Sequence, residues 1–223
     1  MSFFSIENVA FQLLGYNMSW LELVATIAGL LAVWLSAKEH IATWGIGLVN
    51  VILSAFIFYQ SSLYSDMFLQ AYFFATGIYG WWLWGKRDQI SSDLVVKVSF
   101  LRRNQQILTV LFIIISTALV GNAMSHIHEW LPKYFPNPAA FPYWDTLIMM
   151  MSVVANLLLT VKKVESWLLW VAVDVVAPIL YFQKGVILIA FEYVIFLIIA
   201  TFALVNWLKI HQKQKITEGV VVH

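Results

Sequence analysis

Two tryptophans, an aspartate and a tyrosine fall on one face of one helical stretch of this 223-residue chain. In ESWLLWVAVDVVAPILY, residues Trp167, Trp170, Asp174, Pro178 and Tyr181 follow i, i+3, i+7, i+11 and i+14. The rest of the stretch is apolar enough for a bilayer interior. An ionisable group at that depth costs several kcal/mol unless it is paired or faces water, which makes Asp174 a functional candidate. Aromatic faces beside a carboxylate form a cage for a flat, positively charged ring. The indoles stack on it and the carboxylate neutralises it. The competing reading makes the tryptophans interface anchors and Asp174 a partner for a neighbouring helix. Glu192, with Tyr193 beside it, lies comparably deep in a later apolar run, and Asn50 and Gln70 lie in earlier ones. Either amide could instead be a helix–helix hydrogen bond, worth about 0.6–1 kcal/mol. Asp145, Met149, Ser152 and Asn156 share a face of a further helix. No Lys or Arg lies within these runs. The set therefore favours a cation, or a shared proton, over a phosphorylated substrate, which needs Arg or Lys.

The elements that hold these residues follow from composition. Hydrophobic residues make up 61% of the chain and charged residues 11%, against about 45–50% and about 25% in soluble domains. At this length the excess marks an integral membrane protein. Eleven tryptophans fit, because indoles favour the membrane–water interface. A net charge of +1 lends nothing to a nucleic-acid partner, and the absence of cysteine removes disulfide and thiol chemistry. No basic residue precedes Lys38, so a signal-peptide n-region is missing. Ile6, Val9, Ala10, Leu13 and Leu14 predict a short interfacial helix within 1–19.

Seven apolar runs have the length of membrane helices, near 20–37, 42–60, 65–85, 106–125, 143–161, 166–183 and 186–207. They group as a first three-helix bundle (20–85), a linker carrying the fourth helix (86–142), a second three-helix bundle (143–207) and a tail (208–223). Of the thirteen basic residues, only Lys133 and Lys184 fall on one side of the membrane. The asymmetry predicts a cytoplasmic C-terminus and an outside N-terminus. The first bundle weakly resembles the last. Trp20 and Lys38 align with Trp144 and Lys162 at an offset of 124, which places Asn50 on Asp174. After short gaps Gln70 meets Glu192, FYQ (58–60) meets YFQ (181–183), and Trp84 and Lys86 meet Trp207 and Lys209. Parallel three-helix repeats need an odd number of joining spans, which the fourth helix supplies, and carriers of this plan bind substrate between repeats.

Two motifs carry no function. GWWLWGKR (80–87) resembles a phosphate loop but follows no strand and lacks the Ser or Thr that holds magnesium. HIHE (126–129) has the wrong spacing for a metal site and is expected in a loop. Neither an ATP site nor an enzymatic nucleophile is visible, so no cofactor is expected.

The stretches SWLELVATIAGLLAV, GLVNVILSAFIFYQSSLYSDMFLQAYFFATGIYGWWLWG, FPYWDT and ESWLLWVAVDVV, with FEY around Glu192, resemble the PnuC family of nicotinamide riboside transporters. W-x-x-W-x-x-x-N/D is that family's most specific motif and is here Trp167, Trp170 and Asp174. The resemblance implies an all-α, SWEET-like 3+1+3 fold and a homotrimer in the bacterial inner membrane. It further implies facilitated diffusion of unphosphorylated nicotinamide riboside, which a cytoplasmic kinase then traps. It places Trp167, Trp170, Asp174, Asn50, Gln70, Glu192 and Tyr193 on the substrate. Asp174 stands where some members have Asn. Thiamine, another flat cation carried by relatives of this fold, and proton coupling through Asp174 or Glu192 are the alternatives.

Overall fold

The computed structural model describes residues 4–13, 16–60, 64–86, 97–133, 138–139, 141–183 and 187–221. Seven helices run through it: α1 (Trp20–Ala37), α2 (Ala42–Gln60), α3 (Tyr64–Gly85), α4 (Arg103–Trp130), α5 (Pro142–Thr160), α6 (Glu165–Gln183) and α7 (Ile187–Val221). Five of the seven expected spans are met by length and composition: α1, α4, α5, α6 and the Ala190–Gln214 part of α7. The Ala42–Ile57 stretch of α2 is shorter. Tyr72, Tyr79, Trp81, Trp82 and Trp84 lower the hydropathy of α3 while suiting an interface.

Hydropathy placed the ends of α1, α2, α3, α5 and α6 within a residue or so, but α4 and α7 outrun it. The apolar run records membrane thickness, whereas good helix formers such as Gln105, Gln106, Gln212 and Lys213 continue the helix beyond it. HIHE consequently lies on the last turns of α4 rather than in a loop. The tail is helical as far as Val221. Residues 87–96, 134–137 and 184–186, which carry Arg87, part of the long loop and Lys184, lie outside the described residues, as do the side chains of Phe58 and Tyr59.

The N-terminal segment is not the expected helix. β1 (Val9–Leu13) pairs antiparallel with β2 (Tyr16–Ser19), with an irregularity between Val9 and Phe11. The helical spacing of Ile6, Val9 and Leu13 was outweighed by a nearby backbone partner. Pairing with Tyr16–Ser19 satisfies the strand N–H and C=O groups, and Trp20 N–H extends the ladder to the Asn8 carbonyl at 3.0 Å. Ser19 ends the hairpin and starts α1. Its Oγ accepts from Glu22 N–H at 3.2 Å while Glu22 Oε2 accepts from Ser19 N–H at 2.8 Å, a reciprocal cap already encoded in SWLE. The Tyr16 hydroxyl donates to the same carboxylate. Partial burial, followed by that bond, pushes the phenol up to about 12. Gln60, at the end of α2, holds the chain start by accepting from Ile6 N–H at 3.1 Å and donating to the Phe4 carbonyl at 2.7 Å.

The chain divides into two compact units. The first comprises the hairpin, α1 to α3 and residues 205–207 of α7. Its helices approach closely through glycine, as expected where lipid removes the hydrophobic drive between helices. A Cβ on Gly80 of α3 would stand 2.4 Å from the Trp44 ring of α2, and one on Gly77 would stand 2.9 Å from Leu48. Trp44 meets Trp84 edge to face at 5.3 Å between centroids, and Trp84 lies 6.4 Å from Trp207. Trp207 Nε1 donates to the Ser36 carbonyl at 3.3 Å, and Asn206 Nδ2 to the Ala37 carbonyl at 2.7 Å. The Asn206 bond supplies a donor to the last carbonyl of α1, and the Trp207 bond adds to the Glu39 N–H that the Ser36 carbonyl already accepts at 3.0 Å.

The second unit comprises residues 98–204 and 208–223. Ile113 of α4, Ile148, Met151 and Val154 of α5, and Val173, Ala177 and Leu180 of α6 form its core. At one end the Val98–Leu101 segment is buckled onto the α5–α6 turn. Ser99 N–H donates to the Lys162 carbonyl at 3.1 Å, and Val164 N–H returns a bond to Ser99 at 3.0 Å. The buried Glu165 carboxylate accepts from Leu101 N–H at 3.0 Å and from Gln106 Nε2 at 2.7 Å. His211 of α7 donates to the Val98 carbonyl at 2.9 Å.

Candidate functional site

α6 forms from a run of Leu, Val, Ala and Trp interrupted by one proline. Pro178 sits inside the helix and has no N–H to offer the carbonyl four residues back, which is that of Asp174. Asp174 therefore contributes a backbone oxygen without its usual helical donor as well as a carboxylate. Its side chain is 3% exposed, and no hydrogen bond or ion pair from a described residue reaches the carboxylate.

The second unit brings four of the expected residues together and adds a fifth. Tyr193 of α7 lies within electrostatic reach of Asp174, Glu192 and Tyr181. Tyr181 stacks on Tyr193, with centroids 5.4 Å apart and planes at 14°. Trp170, Tyr181 and Tyr193 pack partly buried against the α4–α6 core. Phe196 closes on Tyr193 edge to face at 6.2 Å. The result is two acids, Asp174 and Glu192, each within electrostatic reach of Tyr193, which itself stacks on Tyr181. Tyr181 was visible on the Asp174 face of the helix, but its pairing with Tyr193 needed the fold. The motif's two tryptophans separate in role. Trp167 is 1% exposed, enclosed as a core side chain, while Trp170 keeps part of its surface accessible.

Asn50 and Gln70 belong to the first unit. Asn50 Nδ2 donates to the Ala25 carbonyl of α1 at 2.8 Å and rests over Gly29, where a Cβ would stand 3.0 Å from it. Its amide nitrogen is thus committed to a helix–helix bond. Gln70 is half-buried on α3.

The repeat register also needs correction. α1 ends with Glu39 at φ 55° and α5 with Lys162 at φ 52°. His40 N–H closes back on the Leu35 carbonyl at 2.9 Å, and Lys163 N–H closes on that of Leu158 at 2.9 Å. Thr43 and Trp44 N–H bond to His40 and Ile41 as Ser166 and Trp167 bond to Lys163 and Val164. Every one of these pairs is offset by 123, not 124. Trp44 is therefore the counterpart of Trp167, and Asn50 that of Val173. One residue is about 100° of helix rotation, so Asn50 and Asp174 point differently from their helices. Matching like residue types in apolar sequence slipped the register, and the turn geometry restores it.

Residues 19–209 match the family described as nicotinamide mononucleotide transporter. The chain is 34% identical over 219 residues to the nicotinamide riboside transporter PnuC of Escherichia coli (strain K12), covering 90% of this chain and 91% of that one. It is 26% identical over 202 residues to the riboflavin/roseoflavin transporter RibM of Streptomyces davaonensis, covering 91% of each. A crystal structure of the vitamin B3 transporter PnuC is similar with a TM-score of 0.66 at 26% identity, covering 87% of this chain and 83% of that one.

Proposed function

This chain belongs to the PnuC family of nicotinamide riboside transporters, and we propose that it carries unphosphorylated nicotinamide riboside across a bacterial inner membrane by facilitated diffusion. Asp174 carries the reading. A buried carboxylate deep in an apolar helix, with no basic partner among the described residues, is complementary to a desolvated cation. The pyridinium of the riboside is such a cation and is flat enough to stack on Trp170 and the Tyr181–Tyr193 pair. Glu192 adds a second negative group. We assign Trp167 to supporting the motif from the core. α5, α6 and the 190–208 part of α7 contain no Lys or Arg, so a nucleotide's phosphate would find no partner there. This favours the riboside over the mononucleotide.

Nothing in the sequence supplies energy from ATP. Net uptake is then driven by a cytoplasmic kinase that phosphorylates the product and keeps it from returning. With the basic residues gathered on one side, the C-terminus is cytoplasmic and the N-terminus outside. The matching turns at Glu39 and Lys162 support a SWEET-like 3+1+3 plan in which α2 and α3 also cross the bilayer, and the assembly is a homotrimer.

The test is uptake of labelled nicotinamide riboside into liposomes that contain only this protein. Uptake should equilibrate without concentrating the label and should be unchanged when the proton gradient is collapsed. No uptake would sink the function, and dependence on the gradient would replace facilitated diffusion by proton coupling.

A further inference from the structure

Asn156 lies on α5 with Met149 and Ser152, a face of the second unit to which no role has yet been given. Its amide oxygen is enclosed within the protein and has no hydrogen-bond partner among the described residues. Such an acceptor is rare in native structures, where buried polar groups find partners. Facing lipid it could never be satisfied. Its depth is informative. α5 and α6 are packed neighbours joined by the short turn 161–164. Asn156 lies four residues before the end of α5 and Trp170 five residues after the start of α6. At 1.5 Å per residue these are about 6 Å and about 7.5 Å from the turn, the same level of the unit. Ser152, one turn further, is level with Asp174 by the same count. The α5 face thus parallels the aromatic-acidic face of α6 rung by rung.

We propose that Asn156 is a specificity-determining residue, whose side-chain oxygen accepts a hydrogen bond from an N–H or O–H donor of the cationic nucleoside while Trp170 stacks on its ring. The inference rests on the proposed transport function. It gives the site something that the acids and rings lack: a neutral, directional acceptor that reads a polar substituent rather than the charge. The donor is either the carboxamide N–H₂ on the ring or a ribose hydroxyl. A site built to receive such a donor rejects analogues that lack it, because the acceptor is then left unpaired. The corresponding position of the first unit, by the 123 register, is Val33, so the feature belongs to one repeat alone.

The experiment is calorimetric titration of the full-length, detergent-solubilised protein and of its Asn156→Leu variant. The ligands are nicotinamide riboside, its N,N-dimethylcarboxamide analogue and its 3′-deoxy analogue. Wild-type binding of nicotinamide riboside is the control for the function itself. Its absence counts against the transport reading, whatever the variant does. Given that control, Asn156→Leu should bind nicotinamide riboside about tenfold more weakly. The wild type should also reject one of the two analogues by a similar factor, and the variant should not. The analogue whose penalty disappears identifies the donor. Unchanged affinity of Asn156→Leu, or the same analogue penalties in variant and wild type, would overturn the proposal. If Asn156→Leu does not elute as a folded species, Asn156→Ala replaces it under the same criteria.

Discussion

α2 and α6 have the same length, 19 residues, and leave the same kind of turn, yet they use their polar side chains in opposite ways. α2 ties its groups to its own unit. Asn50 donates to Ala25, Thr43 to Ala32, and Gln60 to the chain start. α6 holds Asp174 buried with no described partner and, through Pro178, leaves the carbonyl of the same residue without a helical donor. The polar side chains of α2 are fasteners within the first unit, while Asp174 of α6 is buried in the second without a bond from a described residue. Internal symmetry in a carrier can therefore be a symmetry of backbone without being a symmetry of chemistry. The turns at Glu39 and Lys162 match in backbone geometry, while the polar side chains beyond them are used differently.

The sharpest way to break this comparison is to attack the packing of the first unit. Gly80→Ala places a methyl group 2.4 Å from the Trp44 ring and should cost about 3 kcal/mol, through overpacking at a helix–helix contact. Thermal unfolding in detergent would show it as a lowered Tm. A variant as stable as the wild type would mean that α2 and α3 are not held this closely. Next in size is the contrast between helices. Asp174→Ala should weaken nicotinamide riboside binding about thirtyfold, the loss of about 2 kcal/mol of charge-assisted interaction, with little change in Tm. Asn50→Leu should do the reverse, losing about 1 kcal/mol of stability and less than threefold in affinity. If Asn50→Leu proved the worse binder, the division of labour would be inverted.

Variants away from these two polar groups sharpen the same contrast. Glu165→Ala removes the acceptor for Leu101 N–H and Gln106 Nε2. About 2 kcal/mol of stability should be lost, and Asp174-dependent binding should persist. The turns supply the smallest effect. Glu39→Gly relieves a left-handed residue and should gain about 0.5 kcal/mol. Lys162→Gly should gain less, because the Lys162 side chain is 2% exposed and its contacts go with it. Equal gains would show that the buried lysine contributes nothing.

Much of the fold was legible because apolar run length reports directly on membrane helices. The ends of α1, α5 and α6 came out within a residue or so. The hairpin was not, since five apolar positions at helical spacing cannot announce a strand partner seven residues on. Asp174, Glu192 and Tyr193 were legible as acids and a phenol where lipid-like sequence should have none. The convergence of Tyr181 with Tyr193 and the enclosure of Trp167 were not, and the choice between the two readings open for Asn50 needed the fold. Each depends on which way a helix is rotated, and a one-residue slip in the repeat register changes that by about 100°.

The most direct test of the central claim, that a flat unphosphorylated cation is held by the second unit, is a calorimetric titration of the intact protein. It would compare nicotinamide riboside with its mononucleotide, thiamine and riboflavin. The account predicts tight binding of nicotinamide riboside and none of the mononucleotide, whose phosphate finds no Lys or Arg within α5, α6 or residues 190–208. Equal binding of the mononucleotide, or binding of riboflavin or thiamine in place of the riboside, would contradict it.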